Sequence, residues 1–250
     1  MVRAIYRKLA HAWGQQHWWP AETQFEVIVG AVLTQNTSWI NVERAMANLR
    51  SAGVLHIAGI RGLDLDKLQS LIRPSGYFRQ KAQRLKSFVS FVDQRYGGSL
   101  EKMFATPTHQ LRTELLSLKG IGPETADAIL LYAGNREVFV VDAYARRILE
   151  RHEATARSAK YDEVRDLVER ALHSQRLFMP VLENARSLSR PQVHQASVMS
   201  AAPRSFRTQV YNEMHGLLVQ VGKHYCHRQQ PKCNLCPLCS LLPRQASVIT

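Results

Sequence analysis

Along most of the chain, apolar residues recur every three or four positions, the spacing that lines one face of a helix. Residues 25–33 (FEVIVGAVL) are almost wholly apolar and too long for a typical strand, which predicts a helix buried on all sides. Residues 40–49 place Val42, Ala45, Met46 and Leu49 on one face, and residues 80–96 do the same with Ala82, Leu85, Phe88, Val89 and Val92. A short helix is predicted over 67–72, ending near Pro74-Ser75-Gly76. Another opens at Thr106-Pro107, with Thr106 as cap and Pro107 in the first helical position. Residues 161–172 and 206–221 read as further amphipathic helices. Strand patterns are scarce, so the predicted fold class is all-α. Between 173 and 207 the periodicity breaks into Pro, Ser, Arg and isolated apolar residues, which reads as an insertion or loop without a helix of its own. Residues 241–250 read as a tail.

The most informative stretch is residues 111–131, LRTELLSLKGIGPETADAILL. Leu111, Leu115, Leu116 and Leu118 form one helical face, and the turn Lys119-Gly120-Ile121-Gly122 follows. Pro123 suits the first position of a second helix, whose apolar face includes Ala126, Ile129 and Leu130. Two glycines two apart let the backbone turn tightly and approach a ligand closely, with Ile121 tucked inward to pin the turn. The N–H groups of the turn and of the second helix then converge on one spot, suited to a phosphate oxygen. An apolar run, residues 137–141, next delivers Asp142 to the start of a new helix. There it can act as an N-cap. A carboxylate beside C1′ of a deoxyribose can also stabilise oxocarbenium charge or orient a water.

Composition narrows the partner. A chain of 250 residues that is 45% hydrophobic is long and apolar enough for a sizeable core, which excludes a mainly disordered protein. It contains no uninterrupted apolar run of membrane-spanning length and no secretory signal pattern, so a cytoplasmic protein is expected, associated with the nucleoid in a bacterium. Lys and Arg number 33 against 20 Asp and Glu, a formal net charge of +13, which points to a polyanion: nucleic acid or an anionic membrane surface. Arg73, Arg79, Lys81, Arg84 and Lys86 fall in one stretch without an acid, beside a turn at Gly76 able to offer N–H groups to a phosphate. Arg146 and Arg147 follow Asp142 closely. The four cysteines, Cys226, Cys233, Cys236 and Cys239, all lie near the C-terminus in the spacing C-x6-C-x2-C-x2-C. A disulfide framework would spread them through the fold. Converging thiolates instead suit one metal centre. The C-x2-C-x2-C pitch suits an iron–sulfur cluster, and tetrahedral zinc stays open because His224 and His227 are at hand.

The string L-x-G-I-G-x-x-T-A at 118–126, Asp142 placed 18 residues after Glu124, and the four-cysteine cluster together resemble the endonuclease III superfamily of DNA glycosylases. The resemblance covers most of residues 20–240. It implies two helical domains flanking a DNA-binding cleft: a six-helix domain over 21–132 with a helix-hairpin-helix, and a second domain from 1–20 plus 133–240. The latter would carry a 4Fe–4S cluster on Cys226, Cys233, Cys236 and Cys239, the last pair more closely spaced than in the endonuclease III type. It also implies Asp142 as the catalytic aspartate, Gly120, Ile121 and Gly122 as the turn on the DNA backbone, and Gln35 as the residue entering the gap left by a flipped nucleotide. Lys119, Gly76, Lys81 and Arg146 are the expected companions of that turn on phosphate.

Glu124 stands with Asp142 at the catalytic positions, where bifunctional members carry a lysine that forms a Schiff base. A carboxylate cannot form one. A monofunctional enzyme is therefore expected, which flips a damaged base from double-stranded DNA and hydrolyses its N-glycosidic bond. Glu124, Trp18-Trp19-Pro20 and GAVLTQNT are most similar to the branch acting on alkylated purines such as 3-methyladenine, with Trp18, Trp19 and Trp39 as candidate walls of the base pocket. A monomer without membrane attachment is expected. Two alternatives stand beside this reading. One is an endonuclease III-like glycosylase for oxidised pyrimidines or mismatched thymine with weak lyase activity. The other is a DNA-binding protein without catalysis.

Overall fold

The computed structural model describes residues 1–173 and 196–243. Residues 174–195 of the expected insertion and 244–250 of the expected tail lie outside the described residues. Among the described residues every regular element is helical, and the chain forms two compact units. One comprises Ala21–Arg136; the other joins Met1–Pro20 to Glu137–Thr250. No helix among the described residues is long and apolar enough to cross a membrane.

The chain opens with α1 (Val2–Trp13), whose Ile5, Tyr6, Leu9 and Trp13 are buried at helical spacing. The unit over Ala21–Arg136 then follows as α2 (Gln24–Leu33), α3 (Trp39–Ser51), α4 (Ile57–Gly62), α5 (Leu65–Ile72), α6 (Phe78–Tyr96), α7 (Leu100–Ala105), α8 (Thr108–Leu116) and α9 (Pro123–Ala128). The last continues as a buried π-helical turn, Ile129–Ala133. α2 is the hub: Val27, Ile28, Val29, Val32 and Leu33 are fully buried as it packs on α3, α6, α9 and the π turn. Its start is fixed by Thr23, whose hydroxyl accepts from the Glu26 N–H. Asp64 and Ser99 cap α5 and α7 in the same way.

One boundary departs from expectation. Thr106 does not cap the following helix; its N–H donates to the Met103 carbonyl and closes α7, a helix the periodicity had not revealed. Pro107 stands one place earlier than expected, outside α8, where its carbonyl accepts from the Leu111 N–H, a role that needs no N–H of its own.

In the other unit, Val138–Val141 run buried and outside any regular element toward α10 (Ala143–Arg151). With no sheet to pair with, this segment takes its hydrogen bonds from side chains: Phe139 N–H donates to Glu169 Oε1 at 2.8 Å and Val141 N–H to the Tyr161 hydroxyl at 3.3 Å. Both acceptors belong to α11 (Tyr161–Ala171). A single turn, α12 (Val198–Ala201), lies in the stretch expected to hold no helix, nucleated by mutual capping of Ser197 and Ser200. α13 (Phe206–His224) was expected to be amphipathic. It is buried on every side from Val210 to Gly222 and encloses the polar Asn212, Glu213, His215 and Gln220. Gly222 permits this, because a Cβ there would stand 2.1 Å from Tyr144 Cδ1 of α10.

Candidate functional site

The hairpin joining α8 to α9 is built as its glycines require. Gly120 has φ +89°, and a Cβ on it would meet the Arg84 guanidinium. Ile121 is buried, and its N–H donates to Leu118 O at 3.0 Å, which closes the turn. Lys119, Gly120 and Gly122 stay exposed around it, and Pro123 begins α9. The two helices are clamped by Arg112 of α8 on Asp127 of α9. Nε donates to Oδ1 at 2.7 Å and Nη2 to Oδ2 at 3.2 Å, with Asp127 fully buried. Gln35 grips the same turn: its amide N–H donates to Gly120 O at 3.0 Å and to Thr125 Oγ1 at 2.8 Å, while Arg84 donates to its carbonyl. In this arrangement the Gln35 side chain is held by the hairpin. Glu124 is exposed in the first turn of α9.

Lys81 is not on the surface. It is fully buried, and its ammonium donates to Leu33 O at 2.8 Å and Ser75 O at 2.6 Å, so it cannot meet a phosphate as expected. Burial, with the neighbouring Arg84 charge, pushes its pKa down to about 8. Lys81 instead ties the end of α2, just before Gln35, to the turn at Ser75-Gly76. Gly76 adopts φ +67°, but its own N–H is already given to Arg73 O at 3.2 Å.

Asp142 is the N-cap of α10. Its Oδ1 accepts from the Ala145 N–H at 2.7 Å, and its Oδ2 lies 3.5 Å from His215 Nε2 on α13. Arg146, one turn on, donates to Ala159 O at 2.8 Å. With Arg147, Arg151, Arg157 and Arg228 it lines an open basic groove.

The far end of α10 holds the cysteine loop. Arg147 Nε donates to Cys226 O at 2.8 Å, and Arg151 donates to Cys226 Sγ at 3.1 Å, His227 O at 2.7 Å and Arg228 O at 3.0 Å. All four cysteines are free thiols and line one cavity with Val221, Tyr225 and Leu238. Burial pushes the Cys236 thiol up to about 11, and Cys226, Cys233 and Cys239, each within electrostatic reach of it, push the same way. Among the described residues, no three His, Cys, Asp or Glu side chains are drawn together tightly enough to hold a single metal ion.

The tryptophans divide. Trp18 and Trp19 are buried edge to face, with Lys223 Nζ 5.3 Å from the Trp18 ring centre. Trp39 belongs to the other unit, where its indole N–H donates to Glu43 at 2.9 Å. The Arg112–Asp127 clamp, Arg151 and His215 were not singled out by the pattern. Their partners lie 15 to 77 residues away in sequence.

The model of the HhH-GPD superfamily of base excision DNA repair proteins matches residues 29–173. A protein of Methanocaldococcus jannaschii, provisionally named as a DNA repair glycosylase, is 42% identical over 95% of this chain and 94% of its own length. The endonuclease III-like protein 1 of Bos taurus is 26% identical over 90% of this chain and 60% of its own. Among solved structures, the H. pylori 3-methyladenine DNA glycosylase bound to 1,N6-ethenoadenine is 30% identical, with a TM-score of 0.69 over 89% of this chain and 95% of that one. A trapped endonuclease III–DNA intermediate shares the fold at a TM-score of 0.65 and 19% identity, covering 91% and 86% of the two chains. The fold and these matches define an all-helical DNA N-glycosylase of base excision repair. The chain belongs to the HhH-GPD superfamily.

Proposed function

We propose that the protein is a monofunctional glycosylase that releases alkylated purines from double-stranded DNA and leaves the sugar–phosphate strand intact. The observation that carries the reading is Glu124, exposed in the first turn of α9 where a Schiff-base lysine would stand. A carboxylate offers no amine to attack C1′. The 30% identity to the 3-methyladenine glycosylase supports the choice of substrate class. In the proposed reaction the C1′–N bond breaks and its electron pair leaves with the base. A cationic alkylpurine thereby departs neutral. Asp142 faces the positive charge that grows on the sugar, water attacks C1′, and its proton passes to the Asp142 carboxylate. The exposed glycines of the hairpin and Lys119 hold phosphate, and the four cysteines hold a 4Fe–4S cluster. The C-x2-C-x2-C pitch of four thiols lining one cavity favours a cluster over zinc. Bound there, the cluster would brace the loop against α10.

A panel of duplexes carrying one lesion each, scored separately for base release and strand nicking, tests the reading. Release of 3-methyladenine or 1,N6-ethenoadenine without nicking, and no adduct trapped by borohydride, is the expected result. A borohydride-trapped adduct overturns the monofunctional assignment. Iron near four per chain is expected, and one zinc per chain overturns the cluster.

A further inference from the structure

The two oxygens of Asp142 face different groups. Oδ1 is committed to the Ala145 N–H at 2.7 Å, which orients the carboxylate relative to α10. Oδ2 looks toward His215 Nε2 at 3.5 Å. His215 is only 4% exposed, on the helix buried on every side. Its ring meets Phe139 edge to face, with centres 6.3 Å apart, and Phe139 also meets Tyr211 one turn earlier on α13. The buried segment that delivers Asp142 therefore also holds the imidazole. The two helices carrying the pair are in close contact through Tyr144 and Gly222. A bulkier residue at 222 would push them apart.

We propose that His215 is a positioning residue for glycosidic-bond cleavage: it fixes the second oxygen of Asp142 so that the carboxylate meets the sugar in one orientation. This rests on the reading of Asp142 as the acting carboxylate. An imidazole with its proton on Nε2 donates to Oδ2, just as the Ala145 N–H donates to Oδ1. Both oxygens are then held, and the negative charge stays on the carboxylate to face the developing oxocarbenium ion. A free carboxylate would spend part of its time rotated away, and the cost falls on the chemical step rather than on DNA binding. The 3.5 Å separation is loose for a hydrogen bond, and such contacts tighten when the substrate is engaged. His215 touches neither DNA nor base in this role.

The test compares His215→Phe, which keeps a ring against Phe139 without a donor, with His215→Gln, whose amide N–H can take the place of Nε2. Both are measured in the full chain beside Asp142→Asn. The probe is whichever duplex carrying 3-methyladenine, 1,N6-ethenoadenine, thymine glycol or mismatched thymine the wild-type protein processes fastest. Loss of one hydrogen bond to a charged group is expected to lower the single-turnover rate of His215→Phe by about 10- to 100-fold, with Kd for the same duplex within about twofold. His215→Gln is expected to recover most of the rate. The Asp142→Asn/His215→Phe double variant is expected to be no slower than Asp142→Asn alone. A His215→Phe protein as fast as wild type, beside a slow Asp142→Asn, overturns the inference and leaves the Asp142 reading standing. Equal slowing in the Phe and Gln variants also overturns it, because packing alone then accounts for the effect. An Asp142→Asn protein as fast as wild type overturns the Asp142 reading itself.

Discussion

At residue 81 an ammonium bonds two main-chain carbonyls inside the protein, while at residue 119 the same side-chain type stands exposed beside the hairpin turn. The two should separate cleanly by experiment. Lys119→Ala is expected to reduce the slope of log K against log salt by about one, the signature of a lost phosphate contact. Lys81→Met is expected to leave that slope unchanged and to cost about 2 kcal/mol in urea unfolding, since it strands the carbonyls of Leu33 and Ser75. Glu213 makes a comparable case for a buried acid. Burial pushes its carboxyl from 4.5 up to about 7, against the opposing pull of the Gln16 N–H at 2.6 Å and the Gln209 amide at 2.8 Å. Between those two values the native protein keeps a proton that the unfolded chain has released. Stability therefore falls as pH rises through that window and levels off above it. Glu213→Gln retains an acceptor for Gln16 and removes the titration. Its thermal unfolding is expected to match wild type near pH 5 and to exceed it above pH 7, by up to about 3 kcal/mol. A variant with the same pH dependence as wild type would show that Glu213 does not titrate there.

At the scale of elements, the hairpin is a pair of short helices, too short to be stable alone, held by one buried bidentate ion pair between Arg112 and Asp127. Removing one partner leaves an uncompensated charge. Asp127→Ala is expected to lower unfolding stability by about 3 kcal/mol or more, whereas Arg112→Met with Asp127→Leu is expected to restore much of it. If the single variant is as stable as wild type, the clamp contributes nothing. The hairpin also shows what was legible in the linear chain. The turn at Gly120-Ile121-Gly122, Pro123 at the head of α9 and Asp142 as an N-cap are all set by neighbours within a few positions, and all three stand where the pattern puts them. Residues 25–33 were readable as a buried helix because nearly every side chain in the run is apolar. What escaped is long-range. The burial of Lys81 depends on carbonyls brought in from α2 and the Ser75 turn, and a stretch of bases without acids looks the same whether one member is exposed or enclosed. α13 looked amphipathic because its four buried polar residues mimic a wet face, although each is enclosed by neighbouring elements. His215 could be found only once the chain had brought residue 215 to residue 142.

Over the whole molecule, the net charge of +13 is carried by both units: Lys119 and Arg84 around the hairpin in one, and the groove of Arg146, Arg147, Arg151, Arg157 and Arg228 in the other. DNA neutralised by such groups releases counterions on binding, and each phosphate engaged contributes about 0.9 to the salt slope. If about five phosphates are engaged in all, affinity should fall by roughly 300- to 1000-fold between about 50 and 200 mM salt. In the proposed reaction, the recognition of a flipped base has a different origin. It depends on burial and stacking of an aromatic face, which released counterions do not touch. Undamaged and lesion-bearing duplexes are therefore expected to give parallel lines in a plot of log Kd against log salt. Their vertical offset measures base recognition alone. Fluorescence anisotropy with the Asp142→Asn protein, which on the proposed mechanism is expected to hold the lesion duplex without consuming it, provides the measurement. Parallel lines would mean that the charge on the two units sets how strongly the enzyme searches DNA, while the pocket separately sets where it stops. Lines that converge at high salt would mean that phosphate contacts are gained only once the base has flipped, so that search and recognition draw on the same arginines.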